Sequence, residues 1–200
     1  HSMDKKVDYI EVKNLTSAYE WRIDTQSLTD EYCLAMDTRA EFLDANKFGT
    51  HTSSKVVVDS GVVTNGNNEE HIMYGKCKSE TFTIGTYTGT GAAGNFVETK
   101  DSNGVARRPA RVILKLISGP LGTEAGSWVV LDNKRGTSTV NDPRILLDTS
   151  DAETSAIDQA NFYSQGIELI NASSFSNKLN NKYLYLVEFD TNGDGGDSYF

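Results

Sequence analysis

Apolar and polar positions alternate with a period of two along much of this chain, the spacing of strands that bury one face. Val7, Tyr9, Ile10 and Val12 predict a first strand ending at Asn14, and Tyr19–Asp24 (Tyr-Glu-Trp-Arg-Ile-Asp) a second. Cys33–Asp37 is a short third run, and Glu41–Phe48 reads as one helical turn or a loop. Lys55–Asp59 is β-branched and predicts a strand; Asn65-Gly66-Asn67-Asn68 is turn chemistry, so His71–Cys77 is expected to pair back as a hairpin arm. Thr81–Tyr87 alternates cleanly into the small-residue loop Thr88–Gly94. Strands follow at Asn95–Glu98 and Arg111–Ile117, then at Trp128–Asp132, closed by the polar turn Asn133–Gly136. Ile145–Leu147 is a short apolar run. Asp151–Ala160 has helical composition, about three turns behind an N-cap at Thr149 or Ser150. Gly166–Asn171 and Tyr183–Phe189 complete roughly a dozen strands with few short helices, an all-β sandwich by pattern.

The order of these features occurs twice. Trp21 and Trp128 each lie in a strand with Asp close behind, at Asp24 and Asp132. Leu34-Ala-Met-Asp37 answers Leu146-Leu-Asp148 at an offset of 148 − 37 = 111. Val56–Val58 answers Ile167–Leu169 at 111, and Asn65 with His71–Tyr74 answers Asn177 with Tyr183–Leu186 at 112. A nearly constant offset over several features predicts a duplicated β unit. His1-Ser2-Met3 reads as a tag scar, 4–78 as a first copy, 79–189 as a second and 190–200 as an Asp/Gly-rich C-terminal segment. The second copy carries a leader, 80–117, of which the first keeps only its last strand, Val7–Lys13. Trp21 and Trp128 are the expected core anchors of the two copies.

Composition sharpens the picture in two places. The net charge is 19 − 28 = −9 with no long basic run, which disfavours nucleic acid and anionic lipid as partners. No apolar run approaches the ~20 residues of a membrane-spanning helix. Cys33 and Cys77 are expected as free, mostly buried thiols, since two cysteines do not make a disulfide scaffold.

Phe82-Thr-Ile-Gly-Thr-Tyr-Thr-Gly-Thr-Gly91, Val112-Ile-Leu-Lys115, Trp128-Val-Val-Leu-Asp132, Arg135-Gly136, Asp151-Ala-Glu153 and Tyr183-Leu-Tyr-Leu186 resemble, in order and spacing, one phage family. These are tandemly repeated virion and tail-fibre modules, frequent in marine and cyanobacterial tailed phages. The resemblance covers residues ~8–190. It implies a jelly-roll or concanavalin-like (lectin-type) sandwich and a non-enzymatic place in the virion as a tail-fibre or receptor-binding module. It further implies contact with a host-surface glycan or protein and with other virion proteins, and a homotrimer. It carries no catalytic residues. The alternative is a carbohydrate-binding, or weakly hydrolytic, lectin-fold domain of a secreted bacterial protein.

Few constellations could carry chemistry. Asp190-Thr-Asn192-Gly-Asp194-Gly195-Gly-Asp197 matches the opening of a calcium loop, where oxygens at alternate positions converge on a hard cation and a glycine permits the turn. Asp190, Asn192, Asp194 and Asp197 are therefore the candidate calcium ligands, although the closing bidentate Glu is missing. Glu188-Phe-Asp190 opens like the carboxylate strand of lectin-fold glycosidases, but Gly193 stands where the second acid belongs, and a retaining mechanism needs both. Gly89–Gly94 matches G-x-G-x-x-G without the following helix that would hold a phosphate. His51 and His71 lack partners at metal spacing. Tyr9, Tyr19, Tyr32, Tyr74, Tyr87, Tyr163, Tyr183 and Tyr185 could stack on sugars, with strand packing expected for most and a glycan site for one or two.

Overall fold

A computed structural model of the chain describes residues 4–26, 28, 33–36, 48–58, 61–119, 126–135, 143–154 and 158–190. The chain divides into two compact units, His1–Cys77 with Leu147–Thr149, and Lys78–Leu146 with Ser150–Phe200. In the first, β1 (Tyr9–Asn14) buries Ile10 and Val12 on one face, as its alternation requires. It pairs antiparallel with β2 (Arg22–Thr25) and β4 (His71–Lys76), and β2 with β3 (Leu34–Ala35), giving the order β3-β2-β1-β4. Against this sheet lies the bridge between Phe48 and Val58, and Val7, Ile10, Val12, Cys33 and Phe48 form the core with Val56 and Val58. The single helical turn α1 (Val62–Asn65) precedes β4.

The second unit is a two-sheet sandwich. β5 (Phe82–Thr88), β7 (Pro109–Ser118), β8 (Val129–Asp132), β9 (Ile145–Leu146) and β12 (Lys182–Phe189) form a sheet ordered β5-β12-β7-β8-β9. β6 (Asn95–Glu98), β10 (Ala160–Tyr163) and β11 (Gly166–Leu169) form a second, ordered β10-β11-β6. Val112, Leu114, Val129, Leu131 and Val187 of the larger sheet meet Val97, Ala160, Ile167 and Leu169 of the smaller in one core. At about 25 cal/mol per Å² of buried apolar surface, these facing side chains hold the layers together. Gly166 is fixed by close approach: a Cβ there would stand 2.2 Å from the Val97 carbonyl oxygen. Apart from α1, the described regular structure is β, in antiparallel sheets.

The two units repeat one pairing scheme. Val12 pairs with Arg22 and Met73, as Leu114 pairs with Val129 and Tyr185. Arg22 pairs with Ala35, as Val129 pairs with Leu146. The Phe48–Val58 bridge answers the Ala160–Leu169 pair. Gly61 O accepts the amides of Thr64 and Asn65, as Ser173 O accepts those of Ser176 and Asn177. Asn68 and Asn180 both take positive φ, 58° and 64°.

Three expectations change. The hairpin between Lys55–Asp59 and His71–Cys77 does not form, because β4 pairs with β1 while Val56 and Val58 pack in the facing layer of the same core. Nor do the described residues of the helix expected at Asp151–Ala160, 151–154 and 158–160, take helical form. Arg144 and Thr154 exchange backbone hydrogen bonds of 3.0 and 3.2 Å, and Ala160 opens β10, so tertiary pairing overrides local propensity. Trp21 and Trp128 stand one residue before β2 and β8 rather than inside them. The tail ligands Asn192, Asp194 and Asp197, and most of Glu41–Phe48, lie outside the described residues.

Candidate functional site

Period-two alternation sorts the tyrosines. Tyr9 and Tyr183 are buried, and Tyr87 and Tyr185 pack against the core. Burial pushes the phenols of Tyr87, Tyr183 and Tyr185 upward, so they remain protonated. Tyr32 lies outside the described residues, Tyr19 is half-buried, and Tyr74 and Tyr163 are exposed, at 49% and 45%.

Tyr163 belongs to the outward face of the small sheet. Val97, Ile167 and Leu169 point inward, so Phe96, Glu98, Glu168, Asn161 and Tyr163 share the other side. Phe96 is 47% exposed, and its ring centroid lies 6.1 Å from that of Tyr163 at a 53° tilt. Gly166, between them in register with Tyr163 and Glu98, adds no side chain to this face. The Tyr163 hydroxyl donates to Glu168 Oε2 at 2.9 Å, and Asn161 Nδ2 donates to the same oxygen at 3.3 Å. That bond to the carboxylate, with burial behind it, raises the Tyr163 phenol above its ordinary value. Glu98 pairs with Lys100 at 2.6 Å. The face thus offers two aromatic rings and an oriented carboxylate. Its aromatics have the geometry to take the apolar face of a flat ligand, and its carboxylate to accept hydrogen bonds from that ligand's hydroxyls.

Other candidates are structural. Trp128 is 1% exposed with Lys115 Nζ 5.3 Å from its ring centre, while Trp21 is half-buried and stacks on Tyr74 at 6.1 Å. The buried Lys115 ammonium donates to the Gly126 carbonyl, and Lys13 donates to the Tyr19 carbonyl at the matching place in the first unit. The Gly89–Gly94 loop is latched by buried Asn177. Its Oδ1 accepts from Thr90 N and Asn95 Nδ2, at 2.9 and 2.8 Å, and its Nδ2 donates to Ala92 O at 2.7 Å. That is a closed loop, not a phosphate cradle. His51 Nε2 donates to Asp24 Oδ2 at 2.8 Å and its Nδ1 accepts the Val57 amide at 3.0 Å, so both ring nitrogens are engaged and neither is left to act as a base. Asp132 closes its turn by accepting from the amides of Lys134 and Arg135 and from Arg135 Nε. Burial alone would raise its carboxyl, but these bonds outweigh it and hold it below the usual range.

Of the calcium candidates only Asp190 is described; it follows β12, and its amide donates to the Arg108 carbonyl at 3.1 Å. Among the described residues no three His, Cys, Asp or Glu side chains gather as a metal site. Neither cysteine is in a disulfide; Cys33 is buried and Cys77 half-buried. No helix among the described residues is long and apolar enough to cross a membrane. The Phe96–Tyr163 face escapes a linear reading because its strands come from distant segments. The available signal was the alternation in Asn95–Glu98 and Gly166–Leu169, which puts Phe96, Glu98 and Glu168 opposite the apolar residues.

No curated protein and no solved structure matches the chain. Residues 1–190 match the family model described as a domain of unknown function, DUF7483, and the chain belongs to that family.

Proposed function

We propose that the chain is a non-enzymatic structural module of a phage particle, a tail-fibre or receptor-binding element that contacts a host-surface glycan through the outward face of β10-β11-β6. The observation that carries the glycan contact is the exposed Phe96–Tyr163 pair beside the oriented Glu168 carboxylate. Two neighbouring aromatic rings, each about half exposed, give a ligand apolar surface to cover. The attribution to a phage particle rests on the resemblance in motif order. With Glu168 and Glu98 on the face and a net charge of −9, neutral sugars suit it better than acidic ones.

The test is a glycan array followed by whole-cell binding, with Phe96→Ala and Tyr163→Ala variants. Each substitution is expected to weaken binding about tenfold, or ~1.4 kcal/mol, with the far-UV spectrum unchanged. Undiminished binding by the double variant would sink the assignment of this face. Release of reducing sugar from a bound glycan would sink the non-enzymatic reading.

A further inference from the structure

Among the described residues, one difference between the two units lies at a sheet edge. In the second, β12 pairs with β7 on one side and β5 on the other, while β11 pairs with β6. Residues 80–99 thus form a two-strand leader that seals an edge of both layers. In the first unit β4 stands where β12 does, and Val56–Val58 where β11 does, yet among the described residues no strand lies beyond Ile72–Gly75 of β4. Met73 and Tyr74 are 42% and 49% exposed there, whereas their counterparts Tyr185 and Leu186 are covered. An open cavity of about 510 Å³, lined by Lys55, Val56, Val57, Val58 and Met73, occupies the place.

We infer that this edge of the first unit accepts a two-strand segment of the β5–β6 type. An open strand edge is a template for pairing. Four positions match the occupant. In the register of the second unit, Met73 falls opposite Gly85, a residue with room for a side chain that crosses it, as the Tyr185 ring does now. Lys55, at the place of Gly166, falls opposite Glu98, giving an attractive charge pair, and Val57 falls opposite Phe96. Asn65, 177 − 65 = 112 residues before the buried latch Asn177, is exposed on α1, where it would hold the segment's loop as Asn177 holds Thr90–Asn95.

The test uses the full chain and a fluorescent peptide of residues 78–100, followed by anisotropy. Saturable binding is expected. Met73→Lys and Asn65→Ala should each weaken it at least fivefold, and Lys55→Glu should weaken it until the peptide carries Glu98→Lys, which restores it. These three residues are exposed, so circular dichroism of the variants should match the parent. Absence of saturable binding overturns the inference. So does binding indifferent to all three variants, which would mean the peptide displaces β5 in the second unit. A sedimenting dimer abolished by Met73→Lys would also overturn it, because the edge would then pair with a second copy.

Discussion

Trp128 and Trp21 occupy matching positions but different surroundings. Trp128 is buried under the Lys115 ammonium, while Trp21 is half-buried against the exposed ring of Tyr74. Truncating the first opens a core cavity, so Trp128→Ala should cost ~3–5 kcal/mol. Trp21→Ala should cost less, because Trp21 keeps part of its surface in water. Urea midpoints of the two variants measure the difference. Gly166→Ala drives a methyl into the Val97 carbonyl and should lower stability by more than the ordinary glycine exchange, with loss of amide protection in β6 and β11. Asp101 and Asp132 make the protein acid-sensitive. Asp101 is held low first by Arg107 Nε, against its burial, with further help from the amides of Val105 and Asn103. Both folded values lie below the unfolded carboxyl value of about 3.9. The stability they add is therefore present above that value and lost as pH falls through the lower folded values. Asp101→Asn should flatten the loss of thermal stability below about pH 4.

At the scale of elements, most strands are legible because alternation is a local property. β1, β5, β7, β11 and β12 fall close to their predicted positions. β10 does not, since Ala160 reads as the last residue of a helix and no strand is expected at Asn161–Tyr163. Its strand form comes from register with Gly166–Leu169. The same distance hid the candidate face, as Tyr163, Glu168 and Phe96 become neighbours only through β11. The Gly89–Gly94 loop is a further case: its glycines are visible, its latch is not. Asn177→Ala leaves the Thr90 amide and Ala92 carbonyl without their partner, and should cost ~1–3 kcal/mol. Faster hydrogen exchange confined at first to residues 88–95 would check it.

At the scale of the molecule, the duplicated pairing scheme is the main fact, and it bears on the acidic tail. Asp190 follows β12, the last strand of the second unit, so chelation of calcium should leave the strand signal and the melting temperature unchanged. A fall of several degrees in EDTA would show that the tail braces the sandwich. Taken alone, the sequence determined the strand-rich class and the spacing at which its features recur, because period-two burial and repeated spacing are written in neighbouring residues. Only the tertiary structure decided that β4 joins β1 rather than Val56–Val58, that Thr154 bridges instead of opening a helix, and that two exposed aromatics flank one carboxylate. Those outcomes depend on which distant edges meet. Backbone groups that must be paired accept any partner in register, and the packing of side chains from the facing layer selects among them.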